Sequence, residues 1–317
     1  MTDTDVAREL PHVVTSGSPD EPITTVAEKD GPSLRELLSR HGAVLLRGFR
    51  VSDVDEFGRF ATTFSRDGLI EYSERSSPRT SLSGAVYTST DYPSDQTIFL
   101  HNENSYQSSW PRMLYFHCVR PPETQGATPL ADIRRVHDAI HPDVREEFER
   151  RGWSVVRNFH PGFGTSWEYV FGTEDRSGVA DHCRDNQIDH TWIGRGQLRT
   201  RAVRSAVRVH PETGERVWFN HIVFFHNTTL PDEVREGVTA LFSMEDLPTN
   251  TYFGDGGVIP DETVAHLRDC YERHRVRFDW QAGDVLLVDN MLACHGREPY
   301  TGDREIAVAM TSPYRPA

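Results

Sequence analysis

Short apolar runs are scattered along this chain, and they do not alternate with helices at regular intervals. AVLLRGF (43–49), TIFLHNENSY (97–106), MLYFHCV (113–119) and Trp153–Phe159 each have the length and content of a strand. So do RTRAVRSAVRVH (199–210), RVWFNHIVFFH (216–226) and EIAVAMTSPY (305–314), while VRFDW and VLLVDN flank QAGD as a hairpin-like pair. A doubly wound parallel sheet needs strand–helix alternation, so that class is disfavoured. Helical periodicity is confined to a few segments. Ser33 caps LRELLSRHG, which Gly42 ends, and Ser52 opens a helix with Phe57, Phe60 and Phe64 on one face. Residues 131–152 are helical with a break at Pro142, and helices are expected over 231–242 and 261–274. The fold class is therefore mainly β with helical insertions (α+β), a sandwich or jelly roll.

The first 25 residues are polar and poorly patterned, and they predict a loosely ordered arm before a single domain over 26–317. Residues 67–94 are rich in Ser, Thr, Gly, Pro and Tyr. A loop that long is uncommon unless functional, and a lid is expected there. The formal charge of −14 excludes a nucleic-acid binder and opposes docking on an anionic membrane. No apolar run approaches the ~20 residues of a membrane helix. Four cysteines without a CxxC pair predict reduced thiols and a cytoplasmic protein. Lys29 is the sole lysine among 34 basic residues, and the arginines suit carboxylate recognition.

Chemistry concentrates in two segments. In LHNENSY, an extended strand would point His101 and Glu103 to the same side. A distant His295 would complete a 2-His-1-carboxylate triad, the pattern of non-haem Fe(II) oxygenases with open coordination positions. Arg304 follows His295 by nine residues across a turn, and a bidentate arginine suits the far carboxylate of 2-oxoglutarate. Thr128 in GATPLAD can add a hydroxyl.

HNENSY, GATPLAD, WFNHIVFFH and GDVLLVDNMLACHGREPYTGDREIAVAM together resemble the taurine dioxygenase (TauD/TfdA) family. The stretch SERSSPRTSLSGAVYTSTDYPSDQTIFLHNENSY resembles its SyrP-like branch, which includes amino-acid hydroxylases of natural-product pathways. The resemblance covers residues 40–312. It implies a double-stranded β-helix (jelly-roll, cupin-like) core, Fe(II) at His101, Glu103 and His295, and 2-oxoglutarate at Thr128 and Arg304. With O2, such a site hydroxylates an unactivated C–H bond of an amino acid or amino-acid-derived substrate, free or tethered to an acyl or peptidyl carrier protein, as in antibiotic biosynthesis. Desaturation or cyclisation uses the same residues, and a non-catalytic jelly-roll binding protein is the remaining alternative. Many members have Asp where Glu103 stands. Glu103 also fills the position that related halogenases leave to chloride, which disfavours halogenation. Val308 stands where taurine dioxygenase has a second arginine, which disfavours a sulfonate substrate.

The substrate candidates are Arg79 and Tyr87 on the 67–94 segment, Asn104 and Tyr106 beside the ligand pair, and Asn220. Arg79 also suits a structural ion pair, Tyr106 a core aromatic, and His221 a buried core histidine. Arg195, Arg199, Arg201, Arg204 and Arg208 form either a basic face for an acidic carrier or a solvated strand face.

Overall fold

Strict two-residue alternation lets one sheet bury both of its faces. In a computed structural model, which describes residues 9–18, 20–71, 74, 80–89, 92–194 and 196–316, this sheet has seven strands. Their order is His12–Thr15, Ala43–Arg47, Val285–Asp289, Trp110–Arg120, Glu305–Tyr314, Val86–Thr88 and Ser81–Ser83. Val44, Leu46, Met113, Tyr115, Leu287 and Ala309 face outward onto two helices, Ile23–His41 and Val54–Ser65. Leu45, Leu114, Phe116, Leu286, Ile306 and Val308 face inward. There they meet Leu130 and Ala293 of a four-stranded sheet ordered Arg275–Val276, Leu130–Asp132, Ala293–Arg297 and Ile98–His101. A third sheet, Ile188–Ile193, Gln197–Arg204, Trp153–Phe159 and Thr249–Phe253, packs with the remaining helices around Trp153, Phe148 and Trp218. Among the described residues, no helix is long and apolar enough to cross a membrane. All four cysteines are buried free thiols.

Several elements differ from expectation. The proposed loose arm already contains His12–Thr15, which pairs in parallel with Ala43–Arg47. The first helix begins at Ile23 rather than after Ser33 and passes through Pro32. Ile23, Val26, Leu34 and Leu38 form one buried face, while Pro32 is exposed, so the carbonyl left unpaired by its missing N–H lies on the solvent side. Gly42 ends this helix in the left-handed region at φ 82°, as its position predicts. The two halves of the 276–290 hairpin separate into different sheets, pairing at Leu130–Ala131 and at Ala43–Leu46. The 216–226 run is a strand only over Arg216–Trp218, followed by the helical turn Ile222–Phe225. Within 67–94, Ser81–Ser83 and Val86–Thr88 form a hairpin on the sheet edge.

Candidate metal centre and its adjoining pocket

Strand Ile98–His101 lies antiparallel to Ala293–Arg297, with His101 directly opposite His295. Gly296 permits this approach, because a Cβ there would sit 2.7 Å from the Ile98 carbonyl oxygen. The two imidazole centroids are 4.4 Å apart. His295 Nε2 lies 3.8 Å from Glu103 Oε2. One ligand atom from each of His101, Glu103 and His295 falls within 4.8 Å of the others, which is a geometry that can hold a metal ion.

Glu103 reaches this point differently from the strand alternation expected. The strand ends at His101, and residues 103–106 form a turn with Asn104 at φ 56°. Asn290 holds that turn: Glu103 N–H donates to Asn290 Oδ1 (2.8 Å), and Asn290 Nδ2 donates to Glu103 O (2.9 Å) and Pro111 O (2.8 Å). Asn102 Nδ2 donates in turn to Asn290 O (2.7 Å). This amide bracket ties the His101–Glu103 segment to the turn that leads into His295. His101 Nδ1 lies 2.8 Å from Phe99 O. As an N–H it donates to that carbonyl, so Nε2 carries the lone pair a ligand needs. Phe224 (4.7 Å) and Phe116, which lies 5.1 Å from His295, wall the pair with aromatic surface. The donor set of the partly buried His101 imidazole, the buried His295 imidazole and the buried Glu103 carboxylate fits iron(II).

A narrow, open-mouthed cavity extends from His101 and His295 to Thr128, Arg297 and Arg304. Ile98, Phe116, Ile306 and Val308 supply its apolar walls. Arg304 Nε donates to Gly126 O (2.9 Å), and its terminal nitrogens donate to Ser89 Oγ (3.3 Å) and Thr128 Oγ1 (3.2 Å). A guanidinium has five N–H donors, so two remain for a carboxylate. Among the described residues, no carboxylate forms an ion pair with Arg304. Burial, reinforced by the Arg297 charge, lowers the Arg304 pKa to about 10, which leaves it cationic at neutral pH. Thr128 Oγ1 accepts from both Arg304 and Trp280 Nε1 (3.1 Å), so its own O–H is left to donate. The pocket thus offers a fork and a hydroxyl donor to an anion at one end and a metal-binding triad at the other.

The substrate candidates disperse. Arg79 and Arg195 lie outside the described residues. Tyr87 packs against the apolar layer between the two sheets. Tyr106 is a core aromatic whose hydroxyl donates to Glu74 O (2.9 Å) and whose ring meets His221 (5.1 Å). Both ends of the Asn220 amide are spent, donating to Ala206 O (3.0 Å) and accepting from the Ile222 N–H (3.1 Å) at the start of the helical turn that replaces the expected strand. Asn104 is buried, and its Oδ1 has no hydrogen-bond partner among the described residues. His221 is fully buried against Ser105 Oγ (2.5 Å), and burial, then the nearby His101, holds its pKa well below the usual histidine range. The arginine-rich strand is internally engaged. Arg199 pairs with Asp246 (2.7 Å), Arg201 lies 3.7 Å from Asp189, and Arg204 donates to the Tyr106 and Asn186 carbonyls. Asn290, Phe224, Trp280 and Arg297 are contributors that spacing did not reveal. DNMLACHG was the place to look for Asn290, because a buried Asn beside a metal-ligand turn has a backbone to hold.

A family model described as the taurine catabolism dioxygenase TauD, TfdA family matches residues 8–310. The dapdiamide synthesis protein DdaC of Enterobacter agglomerans is 36% identical over 310 residues, 95% of this chain and 94% of that protein. A clavaminate synthase-like protein of Arabidopsis thaliana is 29% identical over 289 residues, 87% of this chain and 83% of its own. The crystal structure of PvcB from Pseudomonas aeruginosa superposes with a TM-score of 0.56 at 17% identity, covering 94% of this chain and 84% of that one. AAD-2, crystallised with Mn(II) and N-oxalylglycine, gives 0.54 at 14% identity, covering 96% and 95%. At those identities the two structures establish a shared jelly-roll fold. The family match spans nearly the whole sequence, so the protein belongs to the taurine catabolism dioxygenase TauD, TfdA family and is an iron- and 2-oxoglutarate-dependent dioxygenase.

Proposed function

We propose that this enzyme hydroxylates an unactivated C–H bond of an amino acid or amino-acid-derived substrate, free or carrier-tethered, in cytoplasmic natural-product biosynthesis. The observation that carries the proposal is one cavity lined at one end by His101 and His295 of the His101–Glu103–His295 triad and at the other by Arg304, which has no carboxylate partner among the described residues. When bound there, iron(II) and 2-oxoglutarate activate dioxygen for C–H hydroxylation, with conversion of 2-oxoglutarate to succinate and carbon dioxide.

The chain's own residues position and shield. The Phe99 carbonyl fixes the His101 tautomer, and Asn290 fixes the Glu103 backbone. Arg304 and Thr128 orient the distal carboxylate of the co-substrate, so the 2-oxo end points at the triad. Phe116, Ile98, Ile306 and Phe224 keep water away from the reacting centre. Asn104 Oδ1, which has no hydrogen-bond partner among the described residues, offers an acceptor to an N–H of the substrate. DdaC, the dapdiamide synthesis protein, supports the natural-product assignment, and PvcB has been described as an oxygenase from an isonitrile synthetic pathway.

The test is succinate formation by the iron-loaded enzyme over a panel of amino acids, free and carrier-tethered. One substrate should raise succinate above the uncoupled background and gain a single oxygen atom. A product two mass units lighter would replace hydroxylation with desaturation or ring closure. No stimulation by any amino-acid-derived compound would remove the substrate assignment.

A further inference from the structure

Arg297 is a second buried cation in the same cavity, two residues beyond His295 on the same strand. It is 4% exposed, and no carboxylate forms an ion pair with it among the described residues. Its terminal nitrogens donate to the carbonyls of Tyr92 (2.9 Å), Pro93 and Gln96 (2.8 Å). Its Nε is buried with no hydrogen-bond partner among the described residues. The Tyr300 ring receives both guanidiniums, Arg297 at 5.3 Å and Arg304 at 5.6 Å from its centroid. A clamp on residues 92–96 needs only the terminal nitrogens. It does not need a guanidinium in the cavity wall, nor a buried N–H left without an acceptor, which is costly unless a ligand supplies one.

We propose that Arg297 acts with Arg304 as a paired-cation subsite that makes the pocket selective for a 2-oxo acid bearing a second, distal carboxylate. Arg304 and Thr128 bind that carboxylate directly. Arg297 adds a second fixed positive charge and an Nε–H donor in the same low-dielectric wall, where charge interactions are strong. The main-chain carbonyls of 92, 93 and 96 stabilise the guanidinium without cancelling its charge, as a carboxylate would. This inference rests on the assignment of Arg304 and Thr128 to the co-substrate.

Binding can be measured anaerobically by calorimetry on the metal-loaded protein, with 2-oxoglutarate and with 2-oxopentanoate, which has the same chain length and no distal carboxylate. Arg297→Gln should weaken 2-oxoglutarate by roughly tenfold or more and leave 2-oxopentanoate within about twofold, so the preference between them shrinks. Arg297→Lys, which keeps the charge, should retain most of the preference. Arg297→Met serves as the neutral variant if the glutamine protein does not fold. Equal losses for both acids in the neutral variant, or no loss for either, would reduce Arg297 to a loop clamp and overturn the inference. Arg304→Gln separates the two levels. If it collapses the preference while the Arg297 variants do not, only the role of Arg297 fails. If it also leaves the preference intact, the assignment of the pocket fails.

Discussion

Asn290 grips Glu103 through both ends of its side-chain amide, and this contact decides where the carboxylate ligand stands. Removing it would leave the Glu103 N–H and the Glu103 and Pro111 carbonyls buried without that partner, and each such group costs about 1–3 kcal/mol. We therefore expect Asn290→Ala to lower metal affinity roughly 10–100-fold, the scale for groups that orient ligands from behind. Competition with a chelator of known affinity measures this, and an unchanged affinity would show that the 103–106 turn keeps its shape unaided. The HxE spacing was legible in the sequence, but its geometry was not. The strand stops at His101, and the left-handed Asn104 and a partner 187 residues away complete the site. Arg297 was illegible for a similar reason: its three acceptors are main-chain carbonyls, which carry no residue signature.

At the scale of elements, the strands whose side chains alternate between two apolar layers were the most legible. Trp110–Arg120, Val285–Asp289 and Glu305–Tyr314 lie where their patterns put them. The runs that misled were apolar without that constraint. FNHIVFFH has the content of a strand, yet Asn220 Oδ1 accepts from the Ile222 N–H at the start of a helical turn over 222–225, and His226 caps the 3-10 turn that follows. His226 Nδ1 accepts from the Thr228 N–H (3.3 Å), which requires it unprotonated. Burial lowers its pKa from 6.5 to about 4. The folded form therefore resists a proton that the unfolded chain takes up below pH 6.5, and stability falls as pH drops through the window from 6.5 to 4. The full difference is about 3 kcal/mol at 1.36 kcal/mol per pH unit. His226→Asn keeps a good N-cap and removes the titration, so its melting temperature should fall less steeply over that window. Parallel slopes for the two proteins would assign the acid loss to other groups.

For the whole molecule, the net charge of −14 describes the outer field and not the site. The outer field is anionic, while the cavity wall holds two guanidiniums without carboxylate partners among the described residues, and local charge governs binding at that range. The fold serves this contrast. One sheet contributes Phe116 and Val308, Arg304 lies just before its strand Glu305–Tyr314, the facing sheet contributes His101 and His295, and the cavity is lined by all of them. The central claim is that the triad and Arg304 bind iron(II) and 2-oxoglutarate together in that cavity. Its most direct test is anaerobic optical titration of the apoprotein with iron(II), then with 2-oxoglutarate. The account predicts a weak visible charge-transfer band that needs both additions, is absent in a folded His101→Ala protein, and requires far more 2-oxoglutarate in Arg304→Gln. An undiminished band in the folded His101→Ala protein, or no band in the wild type, would contradict it.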